Sequence, residues 1–246
     1  MIQSTYLTPL EKDPMGNAIA DYHRKGKAKR LVVSSTMFED DDMPVEVLFR
    51  DYADMPAIEQ EALRLAKGKI LDVGAGSGCH ALALQEMNKE VCAIDISLLS
   101  VEVMRERGVN DARAINLFDP RLCDKFDTIL LLMNGAGMMQ RMENMPMFFA
   151  RLRELLASGG KVMMDSSDLI YIYENEDGSV DIDLDGDYYG QVDFTMKYGD
   201  IVGDKFDWLY LDFSTLAFHA EANGFSCRMV KEGEHYDYLA ELQLAE

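Results

Sequence analysis

The residues best placed to do chemistry form one short run, Ile70-Leu71-Asp72-Val73-Gly74-Ala75-Gly76-Ser77-Gly78, an apolar strand entering a glycine-rich turn. Glycines let the main chain turn sharply and let a ligand lie against it, and the helix that follows offers unpaired N–H groups at its amino end. A glycine-rich loop alone is weak evidence. It gains weight from Asp95, at the carboxyl end of the next predicted strand, where a carboxylate can accept from both hydroxyls of an adenosine ribose. The spacing separates two cofactor classes. A nicotinamide site expects G-x-G-x-x-G with glycine at position 79, but Cys79 stands there, and glycines 74, 76 and 78 follow G-x-G-x-G instead.

These residues need rigid elements to hold them. Pro56 opens a helix in which Ile58, Ala62, Leu63 and Leu65 recur at helical spacing up to Gly68. Residues 69–73 read as a buried strand, 79–87 as a helix and 91–96 as a second strand. Ser97 is the predicted N-cap of a helix that stops at Gly108. Residues 127–133 form a further strand and 146–156 a helix, and a turn at Ser158-Gly159-Gly160 leads into a strand over 161–164. A last helix over 213–223 and strands over 225–230 and 236–242 complete the pattern. Such alternation implies right-handed crossovers and a parallel sheet covered on both faces. After Asp165 the period changes. Residues 169–173 and 179–184 flank Asn175-Glu176-Asp177-Gly178 as an expected hairpin, and Val192, Phe194, Met196 and Tyr198 alternate with polar residues.

On these residues the chain resembles the class I S-adenosylmethionine-dependent methyltransferases. Their first motif, an acidic residue at the strand end followed by G-x-G-x-G, is matched by Asp72, Gly74, Gly76 and Gly78. The resemblance covers residues 56–168 and the closing helix and strands. It implies an α/β fold with a doubly wound, mostly parallel seven-stranded sheet whose last strand is antiparallel, carrying an N-terminal helical segment and an antiparallel β insertion. The implied cofactor is S-adenosyl-L-methionine. Its amino acid part would be wrapped by the backbone of Gly74, Ala75, Gly76 and Gly78, its ribose held by Asp95 and its adenine packed on Ile96 beside Leu117. The adenine amino group would be recognised by Asn116, whose amide oxygen can accept from it, or by Asp119. The run 126–135 matches the family's FD-x-apolar strand, which implies that residues 133–137, beginning at Met133, line the reacting sulfonium. Arg50, ahead of the core, is the candidate to reach over and pair with the cofactor's carboxylate.

The methyl donor in that family is already activated, so positioning and exclusion of water come first and a dedicated catalytic residue need not exist. If the acceptor must lose a proton, the bases within reach are Asp165, Asp168, Tyr171 and His235. Asn134 is followed by Gly135-Ala136-Gly137, so the proline-rich motif of amino-methylating DNA enzymes is absent. Asp181-x-Asp183-x-Asp185-Gly186 starts like a calcium loop, but position twelve is Val192 and the apolar alternation suits a half-buried strand. No metal site is expected.

Composition sets the outer limits. The 246 residues carry 24 Lys plus Arg against 44 Asp plus Glu, a net charge of −20 that disfavours nucleic-acid partners. The apolar stretch over 128–139 is too short for a membrane span, no secretory leader is visible, and four scattered cysteines suggest reduced thiols. A cytoplasmic protein is expected. Residues 170–212 hold twelve acidic and two basic residues, −10 of the −20. The expected organisation is an N-terminal cap segment over 1–55, a cofactor-binding domain over 56–169 and 213–246, and the acidic insertion over 170–212. The expected activity is methyl transfer to a small molecule, neutral or cationic. The alternatives are a non-catalytic sensor or scaffold that binds S-adenosylmethionine or S-adenosylhomocysteine, and a protein methyltransferase.

Overall fold

The computed structural model describes residues 6–175, 177–183 and 185–245. The chain begins with α1 (Pro14–Lys25), β1 (Leu31–Ser34) and β2 (Asp41–Asp42), followed by a 3-10 turn over Val45–Phe49 and α2 (Ala57–Leu65). It then alternates through β3 (Lys69–Val73), α3 (Cys79–Glu86), β4 (Glu90–Asp95), α4 (Leu98–Arg107), β5 (Ala112–Ala114), β6 (Phe126–Leu131), α5 (Met145–Leu155) and β7 (Leu156–Ser167). After β8 (Gln191–Tyr198), β9 (Ile201–Val202) and β10 (Phe206–Leu209) come α6 (Phe213–Ala222), β11 (Phe225–Glu232) and β12 (Asp237–Leu244).

Successive side chains of a strand point to opposite faces, and here both faces are apolar. Leu71, Ile94, Ile129 and Met164 enter one core with Phe148, Phe149 and Leu152 of α5. Their neighbours Ile70, Ala93, Leu130 and Met163 enter the other with Ala62 and Leu63 of α2 and Leu84 of α3. The resulting seven-stranded sheet has the order β11-β12-β7-β6-β3-β4-β5. Strands β3 to β7 pair in parallel, whereas β12 runs antiparallel to both β7 and β11. The caps of α4 are those expected: the Ser97 hydroxyl accepts from Ser100 N at 3.0 Å, and Gly108 closes the helix at φ 97°. From β3 the chain adds β4 and β5 on one side and then returns to add β6 and β7 on the other. This reversal opens a crevice outside the carboxyl ends of β3 and β6, where ligands bind in open α/β sheets.

A second, antiparallel sheet has the order β10-β8-β1-β2, with β9 also on β8. Leu31 pairs with Tyr198 and Val33 with Met196, so the N-terminal segment and the insertion share one sheet. That segment is therefore not only helical. Leu31, Leu48 and Tyr198 bury together against Ala18 and Ile19 of α1. The hairpin expected around 175–178 is not a strand pair. Residues Leu169–Tyr173 form a 3-10 turn capped by Asp168, whose Oδ1 accepts from Ile170 N at 2.9 Å, and a single bridge joins Glu174 to Val180. A cap of this kind offers the backbone an alternative to a ladder. Glu176 of the expected turn and Leu184 of its second arm lie outside the described residues. Among the described residues no helix is long and apolar enough to cross a membrane.

Candidate active site

The glycine loop sits in the crevice and is held from below. Gly74 N and Ala75 N both donate to Ile94 O, at 2.9 and 3.0 Å, which ties the loop to β4. Glycines 74, 76 and 78 have φ of 70°, 57° and 84°, a region that side chains rarely enter. Gly78 is also needed for space, because a Cβ there would stand 2.9 Å from both Met104 and Val109.

Asp95 is committed to backbone on both oxygens. Oδ2 accepts from Gly76 N at 2.9 Å and Oδ1 from Ser97 N at 2.8 Å. Removal from water pushes its carboxyl up to about 6, against the pull of those two donors, and the charges of Asp13 and Asp72 add to the rise. Each carboxylate oxygen keeps a second lone pair, which suits a ribose diol. Ile96 stays 39% exposed next to it, an apolar face free for a flat ring. Asn116 stands nearby, its Oδ1 accepting from Phe118 N at 2.9 Å and its Nδ2 donating to Tyr6 O at 3.4 Å. Asp119, the other choice for the adenine, is buried and forms a forked ion pair with Arg121 that holds its carboxyl down at about 2. Leu117 turns its side chain into the core, so only its backbone can face a ligand.

At the other end of the loop lies a buried charged cluster. Arg50 does not extend freely toward a ligand: its Nη2 forks onto the Glu59 carboxylate and its Nη1 donates to Val47 O. His80 Nε2 meets the same carboxylate at 2.6 Å. Burial opposes charge on both His80 and Glu59, but their contact outweighs it, so the imidazole lies above its ordinary value and the carboxyl below. Asp72 is 1% exposed and raised by that burial, with the charge of His80 pulling the other way. Two buried side-chain atoms among the described residues lack a hydrogen-bond partner, Asp72 Oδ2 and Arg50 Nε. One is an acceptor on an acid and the other a donor on a cation. Leaving such atoms unpaired is unfavourable, and an amino acid zwitterion would satisfy both. The residues present therefore fit S-adenosylmethionine: Asp72 and Arg50 for the amino acid end, the loop for its middle, and Asp95 with Ile96 for the nucleoside.

The segment after β6 faces the same crevice. Met133 and Asn134 both have left-handed backbone, at φ 65° and 60°, a costly pair outside glycine. Asp165 explains how it persists, since Oδ2 accepts from Met133 N at 3.0 Å and Oδ1 from Gly135 N at 2.9 Å. Burial pushes this carboxyl up to about 6. Asp165 is thus a brace beneath the loop and not a base open to an acceptor, because it is only 4% exposed and each oxygen is turned to a backbone N–H. Asn134 Oδ1 accepts from Ser167 Oγ at 2.8 Å, and the Trp208 indole lies against Gly137, leaving no room there for a side chain.

The other three candidate bases gather at the end of β7. Asp168 N donates to Tyr236 O at 2.9 Å, Tyr171 lies 5.1 Å from the Tyr236 ring, and His235 precedes it, exposed. Asp168 also accepts from the Tyr189 hydroxyl at 2.7 Å, a partner the sequence reading missed. Beside Tyr189 opens a cavity of about 350 Å³, lined by Thr36, Tyr173, Tyr188 and Arg141 and by the carboxylates of Asp187, Asp193 and Asp207. Arg141 is paired with Asp187 at 3.0 Å, and Lys205 with Asp193 at 3.2 Å. By contrast Asp181, Asp183 and Asp185 stand exposed.

If Asp165 is a brace, Asp165→Ala strands two N–H groups and lowers stability by about 2–3 kcal/mol. His235→Ala, on the surface, changes it by less than about 0.5 kcal/mol. Denaturant unfolding of the two variants measures this, and equal effects would remove the bracing role.

The comparisons with known proteins agree with this geometry. The family model for a methyltransferase domain matches residues 70–160. An S-adenosylmethionine-dependent methyltransferase from Bacteroides fragilis, solved in complex with S-adenosyl-L-homocysteine, is 59% identical over 99% of each chain, with a TM-score of 0.94. The CcbJ methyltransferase from Streptomyces caelestis is 15% identical over 95% of this chain and 98% of that one, with a TM-score of 0.63. The sugar N-methyltransferase KedS8 from a Streptoalloteichus species is 15% identical over 87% of this chain and 98% of that one, with a TM-score of 0.58, and these two share the fold. No curated protein matches the chain. With the first of these relatives alike along its whole length, the chain belongs to the S-adenosylmethionine-dependent methyltransferases.

Proposed function

We propose that this enzyme methylates a small molecule, neutral or cationic, held between the antiparallel sheet and the loop after β6. The observation that carries the reading is the cavity of about 350 Å³ beside Tyr189, a volume suited to a small ligand. Its charged lining numbers three carboxylates against two cations, and its tyrosine faces favour a cation or an uncharged ring over an anion. The N-terminal cap segment and the acidic insertion, joined in one sheet, are the natural selectors of the acceptor. The catalytic domain beneath them comprises 56–169 and 213–246.

S-adenosylmethionine, when bound, supplies a methyl group on a sulfonium ready for in-line displacement. Around it the chain's own residues have separable tasks. Asp95 would accept from the ribose hydroxyls, Asp72 and Arg50 would hold the amino acid end, and the Gly74 to Gly78 backbone would lie along the middle. Asp165 fixes the Met133-Asn134 backbone where it borders the acceptor, and Trp208 packs on Gly137 to exclude water. Asp168, hydrogen-bonded to Tyr189, is the carboxylate best placed to take a proton from an acceptor that must lose one.

A panel of amines, neutral alcohols and carboxylates, scored by S-adenosylhomocysteine formation, tests this reading. Turnover confined to amine or neutral acceptors is expected. Turnover on carboxylates alone, or on a protein alone, contradicts it. A second test uses the raised carboxyl of Asp95. Ribose hydroxyls bind the charged form, so S-adenosylhomocysteine affinity is level above about pH 7 and roughly tenfold weaker at pH 5. Asp95→Asn is expected to bind more weakly and to lose most of that slope. Calorimetry across pH checks both, and an unchanged slope in the variant refutes the assignment.

A further inference from the structure

A hydrogen bond outside the glycine motif ties the N-terminal segment to the strand end that carries Asp95. Ser97 makes three bonds at once. Its N–H donates to Asp95 Oδ1 at 2.8 Å, its Oγ accepts from Ser100 N as the cap of α4, and its hydroxyl proton goes to Asp13 Oδ2. Asp13 is 3% exposed, and its other oxygen accepts from Gly16 N at 2.8 Å as the cap of α1. The caps of two helices are thus joined through one contact. No side chain fits at Gly16, because a Cβ would run into both Asp13 and Ser97.

The rest of the N-terminal segment follows that contact over the cofactor residues. Thr8 N donates to Ile96 O at 3.0 Å, and Tyr6 O accepts from Asn116. Ile19 of α1, fully buried, lies 3.9 Å from where a Cβ of Gly76 would stand. Lys12 pairs with Asp204, next to β9 of the antiparallel sheet, at 3.0 Å. Residues 6–19 therefore border the ribose acid, the adenine wall and the glycine loop together, and they are tied to the acceptor sheet at the other end.

We infer that Asp13 is a positioning residue for the cofactor: through Ser97 it seats the N-terminal segment against Asp95 and Ile96, so that the nucleoside end of the site is complete only when this contact is made. A site that is complete for a fraction of the time binds more weakly by that fraction. Asp13→Ala removes the contact and the cap. Asp13→Asn keeps an acceptor for Gly16 N, and its amide can donate to the Ser97 hydroxyl. Arg24→Ala is the control, since it breaks the ion pairs to Glu102 and Glu106 that hold α1 to α4 at the far end from Asp95.

Titration calorimetry with S-adenosylhomocysteine distinguishes these variants. The expected result is binding at least tenfold weaker in Asp13→Ala, within about threefold of wild type in Asp13→Asn, and within twofold in Arg24→Ala. Hydrogen exchange on the wild-type protein gives a second reading that needs no variant, with S-adenosylhomocysteine slowing exchange across residues 6–19. Wild-type affinity in Asp13→Ala, an equal loss in Arg24→Ala, or unchanged exchange in that segment each overturns the inference. If wild-type protein does not bind S-adenosylhomocysteine at all, the cofactor assignment itself fails, an outcome distinct from any of these.

Discussion

The site is organised around carboxylates at the carboxyl ends of parallel strands, which find no ion-pair partner among the described residues. Asp95 at the end of β4 and Asp165 near the end of β7 are satisfied by backbone N–H groups, and Asp72 on β3 leaves Oδ2 with no donor. Burying such groups without a counter-ion is unfavourable, and the raised values of all three carboxyls register it. The arrangement repays this in two ways. Each carboxylate with backbone donors fixes a loop that has no regular structure, and the unpartnered Asp72 Oδ2 leaves a buried acceptor that a cationic ligand would satisfy. A sulfonium bearing an ammonium is such a ligand.

The same logic explains why bracing and binding are divided among residues of one type. Asp165 accepts one backbone N–H on each oxygen around a strained pair, Met133 and Asn134, and at 4% exposure it is the burial of the carboxylate that keeps it from a substrate. Asp95 spends one lone pair per oxygen on the loop and on α4 and keeps the others. Glu59, by contrast, is fully neutralised by Arg50 and His80, and this leaves one Arg50 N–H free to meet an anion. Burial and partners thus separate an acid that braces a loop, Asp165, from one that keeps lone pairs for a ligand, Asp95, and from one on α2 that orients a cation, Glu59.

Much of the parallel sheet was legible because its signals are local. Short apolar runs, the Ser97 and Gly108 caps and the glycine spacing each depend on a few neighbouring residues. The second sheet was harder, since Leu31 and Val33 find their partners in β8 near the other end of the chain and no local pattern announces the pairing. Residues 169–173 carry a strand-like composition, yet the Asp168 cap wins locally and makes a 3-10 turn. Arg50 was singled out for its charge, but Glu59 looked like one more polar residue on an amphipathic helix, so the buried pair was invisible. Asp13 did carry a signal, an aspartate followed by Pro14 at the first helical position, which reads as a helix start. Its contact with Ser97 depends on how two helices meet, and that lies beyond any window of sequence.

The most direct test of this account is a crystal structure of the enzyme with S-adenosylhomocysteine. The account predicts both ribose hydroxyls on Asp95, with the Gly76 and Ser97 bonds to that carboxylate retained. It also predicts the ligand ammonium within hydrogen-bonding distance of Asp72 and residues 6–19 closed over the nucleoside. A ligand whose ribose faces away from Asp95, with Asp72 Oδ2 still lacking a donor, would contradict it.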